Sequence, residues 1–139
     1  MLSDVSIRSS PLCCVGAVFV WEGKLLLIQR GKPPAAGFWS IPGGHVEHGE
    51  SWQDAVEREV SEETALEATC GELIGWVERE GEGQRYLIAD FKIDVAHPDV
   101  AKPGDDATDL FFAEKADFEN LKITPGLTGF LRKYDLMDL

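Results

Sequence analysis

Residues 51–64 constrain the fold of this chain more than any other segment. Trp52, Ala55, Val56 and Val60 recur at helical spacing, so a helix from Ser51 to about Thr64 must set one face against a core. Glu50 stands near its start, where a negative charge suits the helix dipole. Glu59, Glu62 and Glu63 fall at i, i+3 and i+4, which places three carboxylates on one side. Like charges at that spacing repel. The i,i+4 pairs Asp54–Arg58 and Arg58–Glu62 give local relief, about 0.2–0.5 kcal/mol each, and an exposed Glu-rich face needs no ligand. Three converging carboxylates are also a suitable site for Mg²⁺, a hard cation that takes oxygen ligands and retains waters and phosphate oxygens. Just upstream, Gly43-Gly44 lets the backbone approach a ligand without a Cβ, and a following helix N-terminus favours an anion.

The rest of the chain supplies strands. Cys13 to Trp21 is a buried-strand run, Glu22-Gly23 a turn, and Lys24 to Gln29 a second strand, so a hairpin is the simplest pairing. Residues 31–37 form a loop leading to a short strand over Phe38, Trp39, Ser40 and Ile41. Leu73 to Val77 and Tyr86 to Val95 read as strands around the turn Gly81-Glu82-Gly83, and Leu110 to Ala113 as another. Pro98 to Thr108 is a polar loop. A second helix is expected to begin near Thr124-Pro125 and to run through Leu127, Phe130 and Leu131. Strands mixed with two helices indicate an α/β domain with helices on both faces of a mixed sheet. At 139 residues and 44% apolar composition the chain fits one domain, 1–139, with residues 1–10 a loose polar lead-in.

Residues 44–66, GHVEHGESWQDAVEREVSEETAL, resemble the Nudix box, G-x5-E-x7-R-E-U-x-E-E-x-G-U. Gly44, Glu50, Arg58, Glu59, Val60, Glu62, Glu63 and Leu66 satisfy it, whereas Ala65 stands where the family has glycine. A left-handed residue after the helix would favour Gly there, and Ala costs roughly 1 kcal/mol. The resemblance implies an α/β/α sandwich and hydrolysis of a nucleoside diphosphate linked to another group. It assigns Glu59, Glu62 and Glu63 to Mg²⁺, with Mn²⁺ a possible substitute, and the Gly44 backbone as a further ligand. Glu59 is also a candidate to orient or deprotonate the attacking water. Glu50 and Arg58 take the family's salt-bridging positions and would hold the glutamates in register.

In some family members the base is instead a glutamate on a later loop. Pro98 to Asp109 offers Asp105, Asp106 and Asp109 for that role, or simply a solvated acidic loop. Arg30 and Lys32, ahead of the Gly-Gly turn, are candidates for phosphate, as is the Gly43 backbone. Trp39, Phe38 and Tyr86 suit either core packing or stacking on a base. His45, His48 and His97 lack a regular metal spacing and read as loop residues. The segment RGKPPAAGFWSIPGG, residues 30–44, resembles that of small bacterial members grouped with ADP-ribose pyrophosphatases, making ADP-ribose or a related diphosphate the first-choice substrate. Nucleoside triphosphates are the rival substrate, and a non-catalytic nucleotide sensor is the rival class.

A net charge of −12 argues against binding duplex nucleic acid through a general basic field. The apolar run Leu12 to Trp21 is too short to span a bilayer and lacks a basic leader. With Cys13 and Cys14 adjacent and Cys70 alone, there is neither a metal spacing nor a disulfide framework. The expectation is a cytoplasmic protein, monomer or homodimer, acting on a small nucleotide.

Overall fold

A computed structural model describes residues 10–33, 35–81, 83–104 and 106–139. Nearly all of the expected lead-in, Glu82 of the expected turn and the candidate acid Asp105 lie outside the described residues. In chain order the elements are β1 (Leu12–Val18), β2 (Val20–Trp21), β3 (Lys24–Arg30), β4 (Trp39–Ser40), β5 (Gly43–His45), α1 (Trp52–Thr64), β6 (Ala68–Gly81), β7 (Gln84–Val95), β8 (Ala107–Ala113) and α2 (Leu127–Lys133). Short 3₁₀ turns occupy Pro98–Val100 and Lys115–Glu119.

The apolar run Cys13 to Trp21 is not one arm of a hairpin. It breaks at Phe19 and serves two sheets, with only β2 pairing antiparallel to β3. Cys14 to Val18 are buried in succession, so β1 needs neighbours on both edges and cover on both faces. It lies between β5, antiparallel, and β7, parallel, in a mixed sheet of order β5-β1-β7-β6. In the second sheet β3 carries β2 and β4 along one edge and β8 along the other. The Phe19 carbonyl accepts the Leu26 N–H at 2.9 Å, joining the two sheets where the chain crosses.

Strand alternation sends neighbouring side chains to opposite cores. Val15 and Ala17 of β1, Leu26 of β3 and Ala89, Phe91 and Ile93 of β7 pack with Ala55, Val56 and Val60 of α1. Val18, Leu25, Leu27 and Ala113 pack instead with Leu127, Phe130 and Leu131 of α2. The result is an α/β sandwich with a helix on each side. Each fully buried Val or Leu contributes roughly 1.5–3 kcal/mol of burial.

Ser51 caps α1, its hydroxyl accepting the Asp54 N–H at 3.0 Å. The second helix begins later than Thr124-Pro125 suggests. Thr124 donates its N–H to the Trp39 carbonyl at 2.9 Å, and Trp39 donates to Lys122 at 2.7 Å. That pairing holds the segment extended against β4, and α2 starts only after Gly126 at φ 88°. Two loop expectations also change. His45 lies on β5, and β8 begins at Ala107, so Asp109 is a strand residue opposite Gln29. Among the described residues no helix is long and apolar enough to cross a membrane.

Helix α1 ends at Ala65, which adopts the left-handed region at φ 61°, ψ 13° and returns its N–H to the Ser61 carbonyl. A Cβ is strained in that conformation. Ala65→Gly should therefore stabilise the protein by about 1 kcal/mol and raise the melting temperature by about 3 °C, read by thermal unfolding.

Candidate active site

The carboxylate face of α1 is organised by one guanidinium. Arg58 Nε donates to Glu50 Oε2 at 2.7 Å and Nη2 to Glu50 Oε1 at 3.1 Å, a bidentate pair. Nη2 also donates to the His45 carbonyl at 2.9 Å, while Nη1 reaches Glu62 at 2.9 Å and Glu59 at 3.3 Å. Arg58 thus meets its expected partner Glu62, but turns to Glu50 rather than to Asp54. Glu50 also accepts the Glu47 N–H at 3.0 Å, which folds the 45–50 loop back on the helix. The Arg58 hydrogen bonds hold the Glu50 carboxyl below its ordinary pKa.

Glu59 lies against Gly44, and a Cβ on Gly44 would collide with its carboxylate. The glycine is therefore a steric requirement of the glutamate's position. Glu63 is buried, its Oε1 accepting the Gly43 N–H at 2.8 Å. Burial raises the Glu59 pKa, partly offset by Arg58. It pushes Glu63 further, up to about 8, against the Gly43 hydrogen bond. Among the described residues no three Asp, Glu, His or Cys side chains stand close enough to enclose an ion. The three expected ligands point differently: Glu59 to Gly44, Glu63 to Gly43, and Glu62 outward to Arg58. The donor set is nonetheless all oxygen and partly desolvated, which fits a hard divalent cation.

Two cavities meet at this point. The first, about 360 Å³, is lined by Glu59, Glu63, Gly43, Gly44, Arg30, Lys32 and Asp106. Lys32 and Asp106 form an ion pair at 2.8 Å, both well exposed. The second, about 410 Å³, is mainly apolar, with Ile41, Val77, Ile88, Leu127 and Phe130 in its walls. Arg30, Gly43, Gly44, His45 and Tyr86 border both. The His45 ring stacks on Tyr86, centroids 6.4 Å apart.

Of the residues expected to touch substrate, Arg30, Lys32 and Gly43 line the acidic cavity. Trp39 lines neither; it packs into the α2-side core with its ring edge-on to Phe111 at 6.3 Å. Asp109 also lies outside both cavities and accepts the Leu110 N–H. Sequence reasoning missed Asp90 and Arg79, which line the apolar pocket. Asp90 carried a legible signal, a lone acid in the apolar stretch Leu87 to Phe91, where an ionised side chain is seldom buried.

Comparison with known proteins agrees with this geometry. The profile of the NUDIX domain matches residues 13–125. An ADP-ribose pyrophosphatase from Methanocaldococcus jannaschii is 37% identical over 114 residues, which cover 80% of this chain and 64% of that protein. A CTP pyrophosphohydrolase from Escherichia coli is 42% identical over 71 residues, covering 50% of this chain and 53% of that one. The chain thus matches between half and two thirds of these relatives' length. The crystal structure of a MutT protein from Methanosarcina mazei superposes with a TM-score of 0.82 over 92% of this chain and 95% of the other, at 24% identity, a likeness of fold.

One electrostatic consequence can be checked without substrate. Burial raises the Asp90 pKa from 3.8 to about 7, with Arg79 partly opposing it. Between those values the folded protein holds a proton that the unfolded chain has lost, so this group's contribution to stability falls as pH rises. Asp90→Asn removes that titration. Urea unfolding should show the variant gaining on the wild type from pH ~4 to ~7 and holding level above.

Proposed function

The chain belongs to the Nudix family, and we propose that it is a Mg²⁺-dependent hydrolase of the phosphoanhydride bond in nucleoside diphosphate derivatives, ADP-ribose or a related compound first. The observation that carries this reading is the junction of an acidic, glycine-edged cavity with an apolar pocket across Gly43 and Gly44. A nucleoside diphosphate derivative has the same division, charged phosphates beside a flat ring. The M. jannaschii relative, matched over 80% of this chain, supports ADP-ribose. The shorter match to the E. coli CTP pyrophosphohydrolase supports nucleoside triphosphates as the second reading.

In this proposal Glu59, Glu62 and Glu63, with the Gly44 carbonyl, hold the metal, and Mn²⁺ can replace Mg²⁺. Bound there, the cation neutralises the diphosphate and acidifies water. Glu62 must then leave its Arg58 bond, an exchange made easier by its exposure. Arg30, at the border of both cavities, is placed to meet a phosphate. Lys32 joins it when its exposed pair with Asp106 opens. Glu59, half-buried and with its pKa raised by that burial, is positioned to orient the attacking water or take its proton. Asp106 is the alternative base, since it lines the same cavity. Arg58 and Glu50 act by position, fixing the helix against the loop. A cytoplasmic location suits both the nucleotide substrate and the free thiols Cys13, Cys14 and Cys70.

The test is a screen of ADP-ribose, dinucleotides, nucleotide sugars and nucleoside di- and triphosphates with Mg²⁺, reading phosphate released by a coupled phosphatase. Turnover of ADP-ribose to AMP and ribose 5-phosphate is expected, abolished by chelator and restored by Mg²⁺. Glu59→Gln and Glu62→Gln should each lower kcat/KM by about a hundredfold or more while leaving the melting temperature within a few degrees. Unchanged turnover in both variants, or no turnover of any compound, overturns the assignment.

A further inference from the structure

The apolar pocket holds one group that the chemistry above does not use. Asp90 sits mid-strand in β7 between Ala89 and Phe91, and the residue is only 5% exposed. Its carboxyl lies over Gly16 of β1, where any Cβ would collide with Asp90 Oδ1. Glycine at 16 thus makes room for an acid within the sheet. Among the described residues Asp90 has no hydrogen-bond partner, and Arg79 of β6 acts on it only through charge. Among those residues no fully buried side-chain oxygen lacks a partner, so the Asp90 oxygens open into the pocket. A buried acid left in this state costs free energy unless a ligand supplies the missing bonds.

We propose that Asp90 anchors the nucleobase of the substrate in the apolar pocket through a pair of hydrogen bonds that every common base can make, so that the pocket recognises a base without selecting one. This rests on the reading of the substrate as a nucleotide derivative. The phosphate site beside Gly43, Gly44 and Arg30 borders this pocket, whose walls include Ile41, Val77, Ile88, Leu127 and Phe130. Such walls cover the faces of a flat ring, whereas a sugar would set its hydroxyls against them unpaired. The ring is therefore the part that enters, and the one acid in the sheet meets its edge.

A neutral carboxyl sets an O–H donor beside a carbonyl acceptor, and its proton can sit on either oxygen. Adenine and cytosine set a ring-nitrogen acceptor beside an amino donor. Guanine and uracil set a carbonyl acceptor beside a ring N–H donor. Moving the acid proton from one oxygen to the other swaps donor and acceptor, so either kind of edge closes two bonds with the same side chain. Burial, which holds the Asp90 pKa up to about 7, keeps the neutral form in supply. Other charged or titratable groups line the pocket from the strands around it: Cys14 of β1, Arg30 of β3, His45 of β5, Arg79 and Glu80 of β6, and Tyr86 of β7. Comparison of ligands at one fixed pH holds all of them constant.

The experiment is calorimetric binding of AMP, GMP and purine riboside monophosphate to the whole protein at pH 6 without metal. The third ligand keeps the purine ring, sugar and phosphate but has no exocyclic group, so it can make only one of the two bonds. Asp90→Ala should weaken AMP and GMP alike, each by about tenfold, and purine riboside monophosphate by less than about threefold. Asp90→Asn, which keeps a donor beside an acceptor and can turn its amide over, should hold AMP and GMP within about threefold of the wild type. Near-UV circular dichroism confirms that both variants fold. Equal weakening of all three ligands by Asp90→Ala, weakening of only AMP or only GMP, or no weakening overturns the proposal. So does an Asp90→Asn variant as weak as Asp90→Ala, or a wild type that binds none of the three. Because binding is read without turnover, a protein that holds AMP and GMP through Asp90 but hydrolyses nothing refutes the hydrolase reading alone. One that hydrolyses nucleotide derivatives and binds them equally well as Asp90→Ala refutes the role of Asp90 alone.

Discussion

Arg58 is the interaction on which the site depends. Its guanidinium joins Glu50, Glu59 and Glu62 and the His45 carbonyl, so a single side chain binds the 45–50 loop to the helix and separates carboxylates that would repel. Arginine suits the position because a planar fork engages several oxygens at once, which a lysine ammonium does not match in geometry. The scaffold beneath it is equally specific. Val56 and Val60 anchor α1 in its core, leaving the opposite face of the helix to present the acids.

The second constraint is the shared role of glycine at close backbone approaches. At Gly44 a side chain would displace the Glu59 carboxylate, and at Gly16 it would displace Asp90. Both glycines lie on adjoining strands, β5 and β1, so the sheet itself makes room for acids on either side of the cavity border. This arrangement divides one continuous cleft into an acidic part and an apolar part. Their union rather than either alone has the polarity of a nucleotide.

Local signals in the chain were strong where chemistry and periodicity coincide. The α1 boundaries follow from apolar spacing within a short segment, and the Glu50–Arg58 link and the left-handed residue at 65 from the segment's likeness to the Nudix box. Signals weakened wherever a partner is remote. The run Cys13 to Trp21 looks like one strand because apolar periodicity does not say which sheet a strand joins. Thr124-Pro125 looks like a helix start because capping residues say nothing about a β4 strand waiting to pair with them. Trp39 suited core packing or stacking on a base by its type, and packing against Phe111 puts it on the core side of the sheet.

The sequence by itself therefore determined the acidic helix, its glycine-edged approach and the family they belong to, because each depends on residues a few positions apart. The tertiary structure decided what those parts face. Arg58 reached the His45 carbonyl, Glu63 turned to the Gly43 amide, and Asp90 met Gly16 and the apolar pocket across parallel strands 74 residues apart in the chain, as the Gly16–Asp90 register shows. Such pairings depend on register between distant strands, and no local spacing encodes that register.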